Sequence, residues 1–276
     1  MISSLHSLFY FIFAVLTINS CTNTEHNSTS NNTTLTVKEK DTIQYLTEIK
    51  NITQVDSTIS LDYLMGKFDP SNNKSFTKIA SKYTKRKNLL LRKETYEAFK
   101  KMHAAALKDG VKLSILSATR NFKIQKTIWE AKWLGTRKIE NGKDASKAYP
   151  NPKTRALQIL KFSSMPSTSR HHWGTDIDIN NLNNSYFKKG KGLKEYQWLQ
   201  KHAHDFGFFQ PYTAGRPYGY QEERWHWSYL PIAKKLSDQA KLRLKNEMIQ
   251  GFKGSETAQQ INVVKHYVLG INQECL

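Results

Sequence analysis

Two short segments with alternating polar and apolar residues constrain this chain more than any other feature of its sequence. Residues 176–179 read Asp-Ile-Asp-Ile, and residues 224–229 read Arg-Trp-His-Trp-Ser-Tyr. Strict alternation predicts β-strands in which one face packs against a core and the other face carries polar groups. Asp178 and His226 are then expected to point away from the packed face. Glu223 lies three residues before His226, so we expect it just before the strand or on a bend.

The polar residues near these segments form a set that is typical of a catalytic zinc site. Such a zinc ion takes three nitrogen or oxygen ligands from the protein and keeps one position open for water. His171, Asp178 and His226 supply two imidazoles and one carboxylate. A further group has to take a proton from the water and pass it to a leaving amine, and Glu223 is our candidate for that base.

His172 and Asp176 are rival ligands. His172 directly follows His171, and adjacent side chains on an extended backbone point in opposite directions, so only one of the two can readily face the metal. Asp176 adds a second carboxylate close to Asp178. The residues alone leave this choice open.

Three motifs of the chain resemble those of the VanY-type zinc carboxypeptidases of bacterial cell-wall metabolism, which include D-alanyl-D-alanine and L,D-carboxypeptidases. Residues 117–125 follow the pattern Ser-x-x-Arg-x-x-x-x-Gln, residues 169–178 follow Ser-x-His-x-x-Gly-x-x-x-Asp, and residues 223–226 follow Glu-x-Trp-His. The motifs stand in the family's order, and the similarity covers Leu61 to Tyr229.

The resemblance implies roles for individual residues of this chain. The implied zinc ligands are His171, Asp178 and His226. The implied catalytic base is Glu223. The implied substrate-binding residues are Arg120, Gln125 and Ser169, with Gln125 and Ser169 fixing the terminal carboxylate of the substrate. Arg120 also has a catalytic role, because its planar guanidinium suits the oxygen that becomes negative in the transition state.

The resemblance also implies the fold and favours His171 over His172. The implied fold is an α+β domain with a small antiparallel sheet and packed helices, of the hedgehog/DD-peptidase-like zinc peptidase type. This chain departs from the family at Asp176, where the family usually has alanine.

The implied reaction is hydrolysis of the terminal D-alanine from peptidoglycan stem peptides, with D,D or L,D specificity left open. A D,D-dipeptidase or endopeptidase of the same fold is an alternative, because loops such as residues 135–168 decide whether the pocket closes beyond the scissile bond. A peptidoglycan-binding lipoprotein without turnover is an alternative of another class. The presence of Glu223 argues against it, since a structural zinc site needs ligands and no base.

The N-terminal segment is predicted to be a lipoprotein signal peptide, residues 1–20. Its apolar run, residues 8–18, is too short to span a membrane, and Ile-Asn-Ser-Cys at residues 18–21 resembles a lipobox. Lipidation of Cys21 then anchors a protein of the cell envelope to a membrane facing the periplasm. Because residues 1–7 contain no Lys or Arg, a plain cleavable signal or an uncleaved anchor remains open.

After Cys21, residues 21–60 are predicted to be a flexible tether and residues 61–276 the catalytic domain. Asn, Thr and Ser dominate the first part of the tether, a composition that cannot build a core. If Cys21 carries lipid, Cys275 has no intramolecular partner and is predicted to be a buried free thiol.

The chain carries a net charge of +19, which attracts polyanions. The lysines are scattered, and no zinc finger, basic zipper or RNA-recognition signature is present, so we predict no nucleic-acid partner. Peptidoglycan carries free carboxylates, so it suits the positive charge as well as nucleic acid does. The protein is expected to be a monomer.

Periodicity predicts further elements around the motifs. Val111–Ala118 is predicted to be a strand. One predicted helix covers Lys93–Leu107, and a second follows Asn121, which is expected to cap it. Three further helices are predicted at Thr154–Phe162, Lys194–Asp205 and Pro231–Gln250.

Overall fold

Both alternating segments are strands of one antiparallel sheet in the computed structural model, which describes residues 54–276. The strands are β1 (Phe76–Lys78), β2 (Leu90–Arg92), β3 (Ile115–Ser117), β4 (Asp176–Ile179), β5 (Phe208–Phe209) and β6 (His226–Tyr229). Strands β1 and β2 pair with each other, and the other four form a sheet with the order β3-β4-β6-β5. All pairs are antiparallel. The predicted small antiparallel sheet is therefore confirmed.

The register of β4 and β6 places polar residues side by side on one face of the sheet. Asp178 lies opposite His226, and Asp176 lies opposite Ser228. The alternating isoleucines of β4 point to the other face, where they are fully buried in a core. The period of two in the sequence thus predicts the face on which each residue lies.

Helices surround the sheet, so the α+β class is confirmed. The helices are α1 (Leu61–Leu64), α2 (Lys93–Lys108), α3 (Phe122–Trp133), α4 (Ala145–Ala148), α5 (Pro152–Ile159), α6 (Gly190–His202), α7 (Leu230–Arg243) and α8 (Thr257–Ile261). Asn121 caps α3 as predicted, because its side chain accepts a hydrogen bond of 3.0 Å from the backbone N–H of Ile124.

Four elements have boundaries that differ from the prediction. Strand β3 covers only the end of the predicted strand, and α5 begins and ends earlier than predicted. Helix α6 begins at Gly190 and ends at His202, after which the chain continues as a 3₁₀ turn, residues 203–206. Helix α7 ends at Arg243 because Leu244 already has an extended conformation.

The buried side chains form two clusters. One cluster joins the apolar face of the sheet to α2 and α6 through residues such as Phe99, Ile177 and Leu199. The other cluster joins α3, α5, α7 and the C-terminal segment through residues such as Trp129 and Leu236. The second cluster also holds the side chain of Cys275, which is buried as predicted.

Residues just before the predicted domain boundary at Leu61 contact helix α7. The backbone N–H of Asp56 donates to Gln239 Oε1 of α7 at 2.9 Å, and the Asp56 carboxylate pairs with Lys235 Nζ at 2.6 Å. Residues 54–60 of the predicted tether thus contact the domain. The predicted signal peptide and Cys21 lie outside the described residues. Among residues 54–276, no helix has the length and apolar character needed to cross a membrane.

Candidate active site

Three side chains from different elements meet at the polar face of the sheet. His171 lies on a 3₁₀ turn, residues 170–173, while Asp178 comes from β4 and His226 from β6. Asp178 Oδ1 lies 3.4 Å from His171 Nε2 and 3.3 Å from His226 Nδ1. One ligand atom from each residue lies within 4.8 Å of the others, and all three residues are buried. The structure therefore brings the predicted ligand set together.

The donor atoms of this group fit a zinc ion. In the described part of the chain, His171 Nε2 and Asp178 Oδ1 are buried without a hydrogen-bond partner, an arrangement that is costly unless a ligand satisfies them. His171 Nδ1 lies 2.8 Å from the carbonyl oxygen of Ala118, so the ring donates there and turns its Nε2 lone pair toward the site. Two nitrogens and one carboxylate oxygen are a donor set that catalytic zinc sites use.

Asp178 is ionised in this environment. Burial alone raises the pKa of a carboxyl group, but the neighbouring His171 and His226 hold the pKa of Asp178 well below its ordinary value. A carboxylate is the form that binds a metal ion.

Asp176 contacts the imidazole of His226 from the side away from Asp178. Asp176 Oδ2 lies 2.9 Å from His226 Nε2 and accepts a hydrogen bond of 3.0 Å from Arg170 Nε. Asp176 Oδ1 accepts hydrogen bonds from Ser228 Oγ at 2.9 Å and from Thr175 Oγ1 at 2.7 Å. Both carboxylate oxygens are thus engaged, and the contact with Nε2 turns His226 Nδ1 toward Asp178. A carboxylate behind a ligating histidine fixes the ring orientation in many metal sites.

The buried charge of Arg170 stabilises this carboxylate. Arg170 is 1% exposed, donates to Ser237 Oγ at 2.8 Å and to Ser228 Oγ at 2.7 Å, and stacks over Trp173. Burial alone raises the pKa of Asp176, but the Arg170 guanidinium and His226 lower it well below its ordinary value. Asp176 therefore stays ionised although it is inaccessible to water.

His172 also uses both ring nitrogens for contacts within the protein. Its Nδ1 lies 2.5 Å from the carbonyl oxygen of Arg120, and its Nε2 accepts a hydrogen bond of 3.1 Å from the backbone N–H of Ser167. Burial lowers its pKa to about 3, so the ring is neutral. The backbone at His171 and His172 is a 3₁₀ turn and not extended as the sequence reasoning assumed, but His171 still is the one that faces Asp178.

Glu223 lies on the bend before β6, as predicted. Its backbone N–H donates to the carbonyl oxygen of Tyr212 at 2.9 Å, and its own carbonyl accepts from the N–H of His226 at 3.2 Å. These bonds place Glu223 Oε2 3.2 Å from His226 Nδ1. Burial raises the pKa of Glu223, and Asp178 raises it further, whereas the contact with His226 opposes both effects. A carboxyl group with a raised pKa exchanges protons near neutral pH more readily.

The site opens into a cavity of about 660 Å³. Its wall includes Glu223, Arg120 and the predicted zinc ligands, as well as the aromatic rings of Tyr212 and Tyr220. The backbone N–H of Arg120 donates to the carbonyl oxygen of His171 at 3.1 Å, which fixes the start of its side chain. Arg120 Nε is buried and has no hydrogen-bond partner among residues 54–276, so this N–H is available to a ligand.

Gln125 and Ser169 do not reach the wall of this cavity. Gln125 is 1% exposed, and its Nε2 donates to the carbonyl oxygen of Ser164 at 2.8 Å. Ser169 is 2% exposed. Gln125 thus contacts Ser164 of the wall, while Gln125 Oε1 and Ser169 Oγ are buried without a hydrogen-bond partner among residues 54–276. Direct contact of Gln125 and Ser169 with substrate stays a prediction.

The wall contains cations that the sequence reasoning missed: Arg86, Lys132 and Arg137. Lys132 lies near the end of α3, where it looks like any lysine of an amphipathic helix. Nothing in its sequence context marks it, because its hydrogen-bond partner Ser163 lies 31 positions away in the chain.

The sequence is similar to one protein family and to one curated relative. The profile of the family VanY, described as D-alanyl-D-alanine carboxypeptidase, matches residues 88–232, which is more than half of the chain. YodJ from Bacillus subtilis (strain 168), which bears a carboxypeptidase name, is 28% identical over 156 residues. That match covers 54% of this chain and 50% of YodJ, so the chain spans about half the length of this relative.

Two solved structures are also similar. A mutant of the vancomycin resistance D,D-pentapeptidase VanY in complex with Zn(II) is 20% identical, with 69% of this chain and 92% of that chain covered and a TM-score of 0.45. The LD-carboxypeptidase LdcB is 18% identical, with 73% of this chain and 81% of that chain covered and a TM-score of 0.46.

Proposed function

Because the chain belongs to the VanY family of D-alanyl-D-alanine carboxypeptidases, we propose that it is a zinc carboxypeptidase that removes the terminal D-alanine from peptidoglycan stem peptides. The observation that carries this proposal is the buried group of His171, Asp178 and His226, which has Glu223 beside it. Two atoms of this group that could bind a metal ion, His171 Nε2 and Asp178 Oδ1, have no hydrogen-bond partner among residues 54–276. A structural metal site needs no carboxylate like that of Glu223 beside its ligands, whereas peptide hydrolysis needs a group that transfers a proton.

The residues divide the chemistry among them. His171, Asp178 and His226 would hold a zinc ion, which would supply Lewis acidity that lowers the pKa of a water molecule towards ~7 and polarises a carbonyl group. Glu223 accepts the proton of the attacking water and donates it to the leaving amine. Arg120 donates hydrogen bonds to the carbonyl oxygen as that oxygen becomes negative.

The product of stem-peptide cleavage tests this proposal and defines the specificity. Pentapeptide and tetrapeptide are incubated with the zinc-loaded protein and analysed by mass spectrometry. Loss of one alanine from the pentapeptide identifies a D,D-carboxypeptidase, and loss from the tetrapeptide identifies an L,D-carboxypeptidase. Loss of two residues together identifies a dipeptidase. If a folded, zinc-loaded sample leaves both peptides intact, carboxypeptidase function is refuted for these substrates.

We further propose that the protein is anchored in the cell envelope through lipid on Cys21. The support is the lipobox-like sequence at residues 18–21 after an apolar segment of signal-peptide length. Mass spectrometry of the protein from membranes is expected to show a lipid-modified Cys21 as its first residue. A Cys21→Ser variant is expected in the soluble fraction or with its signal uncut. An N-terminus at another residue, without lipid, would exclude this anchor.

A further inference from the structure

The loop that leads to Glu223 is held from behind by a segment that follows α8. This tyrosine loop, residues 210–222, comes after β5 and contributes two tyrosine rings to the cavity wall. The terminal segment, residues 262–276, lies beyond residues 88–232, the part of the chain that the VanY profile matches. Contacts between the tyrosine loop and the terminal segment are therefore a feature that the family match does not describe.

Arg216 joins the tyrosine loop to the terminal segment through its guanidinium group. Its Nε donates to the carbonyl oxygen of Thr213 at 3.0 Å, and its Nη1 donates to that of Tyr218 at 3.0 Å. Two further bonds go to the carbonyl oxygens of Tyr220 and Gly270. Four of the five N–H donors of the side chain are thus engaged, three within the loop and one across to the terminal segment.

The backbones of the tyrosine loop and the terminal segment are also in direct contact. Gly219 has φ of +95°, and a Cβ atom there would collide with the carbonyl oxygen of Gly270. The backbone N–H of Asn272 donates to the carbonyl oxygen of Pro211 at 2.8 Å. The loop is therefore anchored to the terminal segment near both of its ends, by Pro211 at its start and by Gly219 close to its end.

The same loop contacts the groups that are expected to react. The carbonyl oxygen of Tyr212 accepts a hydrogen bond of 2.9 Å from the backbone N–H of Glu223. The ring of Tyr212 lies 4.6 Å from the ring of His226 in an edge-to-face arrangement, and the guanidinium of Arg216 lies 5.6 Å from the centre of the Tyr212 ring. A displacement of Tyr212 would therefore move Glu223 relative to the water that it has to deprotonate.

We propose that Arg216 is a positioning residue, which uses the terminal segment as a brace to hold Tyr212, and thereby Glu223, in the geometry for proton transfer. This inference rests on the proposed function and adds a residue that acts through Tyr212. A displacement of about 1 Å in a reacting group is enough to slow an enzyme ~10²-fold. A guanidinium group that is bound to four carbonyl oxygens restricts such a displacement more than a single hydrogen bond does.

The test measures kcat, KM and zinc content of the full chain carrying Arg216→Met, with the stem peptide that the unaltered protein cleaves. Methionine is a flexible apolar side chain that donates no hydrogen bond. We expect kcat to fall about 10–100-fold while KM stays within about 3-fold and zinc still binds, because only the reacting geometry changes. Arg216→Lys keeps the charge but not the planar fork of donors, so we expect it to restore only part of kcat.

A matched control separates this role from a general loss of stability. Asn246 donates to Asn262 Oδ1 at 2.9 Å and accepts from the backbone N–H of Val264 at 2.9 Å, so it holds the same terminal segment through bonds that do not involve the tyrosine loop. Asn246→Ala is expected to lose unfolding free energy, as Arg216→Met does, but to keep kcat within about 2-fold. Equal losses of kcat in the two variants, an unchanged kcat in Arg216→Met, or a loss of its zinc together with kcat would each overturn the proposal.

Hydrogen exchange tests the brace without turnover. The backbone N–H of Glu223 is bonded to the carbonyl of Tyr212, so its exchange reports how firmly the tyrosine loop is held. In zinc-loaded Arg216→Met, peptides that cover residues 212–226 are expected to exchange about 10-fold faster, whereas Asn246→Ala leaves their exchange unchanged. If the unaltered protein cleaved no stem peptide but exchange rose in this way, the proposed function would fail while the brace stood. Unchanged exchange in Arg216→Met would show that Arg216 does not hold the loop.

Discussion

At the residue scale, the metal site depends on which nitrogen of each histidine faces it. The ring of His171 is held at Nδ1 by the carbonyl of Ala118, and the ring of His226 is held at Nε2 by Asp176. The two imidazoles therefore present opposite nitrogens, Nε2 and Nδ1, to Asp178. Because these contacts come from the protein itself, the two candidate ligands are oriented without a metal ion.

The first prediction separates the ligands from the neighbouring histidine. Replacement of His171, Asp178 or His226 by Ala is expected to abolish stoichiometric zinc binding, measured as metal content after dialysis. His172→Ala is expected to retain zinc but to lose about 2–3 kcal/mol of unfolding free energy, because the Arg120 carbonyl and the Ser167 N–H lose their partner. Loss of zinc from His172→Ala together with retention by His171→Ala would overturn the ligand assignment.

The second prediction concerns Asp176, which stands where the family usually has alanine. Asp176→Ala removes the contact that orients His226 and is expected to weaken zinc binding by about 10–100-fold. Competition with a chromophoric chelator measures this change. Asp176→Asn keeps an acceptor oxygen and is expected to recover part of the affinity, although Arg170 loses its counter-ion. An unchanged dissociation constant in Asp176→Ala would show that the carboxylate does not position His226.

At the scale of elements, the motif glycine connects the 3₁₀ turn of the site to β4. Gly174 has φ of +71°, which favours glycine, and a Cβ atom there would lie 2.4 Å from Phe76 Cε1 of β1. Its carbonyl also accepts a hydrogen bond of 3.1 Å from the backbone N–H of Arg92. The β1–β2 pair thus packs against the turn that carries His171.

The third prediction compares two glycines with the same backbone angle. Gly174→Ala combines left-handed strain with the clash against Phe76 and is expected to cost about 2–4 kcal/mol of unfolding free energy. Gly110→Ala, with φ of +71° and no atom within 4 Å of the added Cβ, is expected to cost only about 1 kcal/mol. Denaturant unfolding measures both. Equal costs would mean that close packing at Gly174 does not limit this turn.

The elements of the site differ in how far their sequence predicts them. The alternation in residues 176–179 and 224–229 predicts the strands and the faces of Asp178 and His226, because side chains alternate along every strand. The 3₁₀ turn at residues 170–173 has no such period, and contacts with Ala118, Arg120 and Ser167 shape it instead. Ala118 and Arg120 are distant from the turn in sequence, and the nearby Ser167 belongs to no periodic pattern. Tertiary packing therefore decides the conformation of the 3₁₀ turn.

At the scale of the whole molecule, some positive charges are paired with carboxylates and others are not. The surface is strongly cationic, whereas the buried Arg170 is paired with Asp176. The sequence predicts the excess of positive charge but not its distribution. Arg170 and Asp176 are six positions apart, a spacing that does not make them neighbours on a helix or a strand. The hydrogen bonds of Asp176 also involve Ser228 from β6. Lys132 likewise acquires its environment only when the chain segment around Ser163 packs against α3.

The fourth prediction is a dependence of global stability on pH that arises from Lys132. Its pKa is about 8 in the folded protein, below the ordinary 10.5, so the unfolded chain binds more protons between these values. The charged Lys132, whose ammonium group is disfavoured by burial, therefore destabilises the folded protein to its full extent below pH 8, and this effect disappears as the pH rises toward 10.5. Relative to Lys132→Met, the unaltered protein is expected to be about 2 kcal/mol less stable at pH 7, allowing for solvent screening.

Unfolding free energies of both proteins at pH 7 and pH 10 check this difference. The other titrating groups are common to the two proteins and cancel in the comparison. The gap between the proteins is expected to narrow as the pH rises. A gap that is constant or widens with pH would contradict a lowered pKa for Lys132.

The central claim, that Glu223 transfers protons beside a zinc site, is tested most directly by turnover and zinc content of Glu223→Gln. The account predicts that this variant binds zinc as the unaltered protein does but removes D-alanine from the pentapeptide about 10²–10⁴-fold more slowly. Removal of zinc by a chelator is expected to stop the unaltered protein, and zinc is expected to restore it. Turnover of zinc-loaded Glu223→Gln at the rate of the unaltered protein would contradict the account.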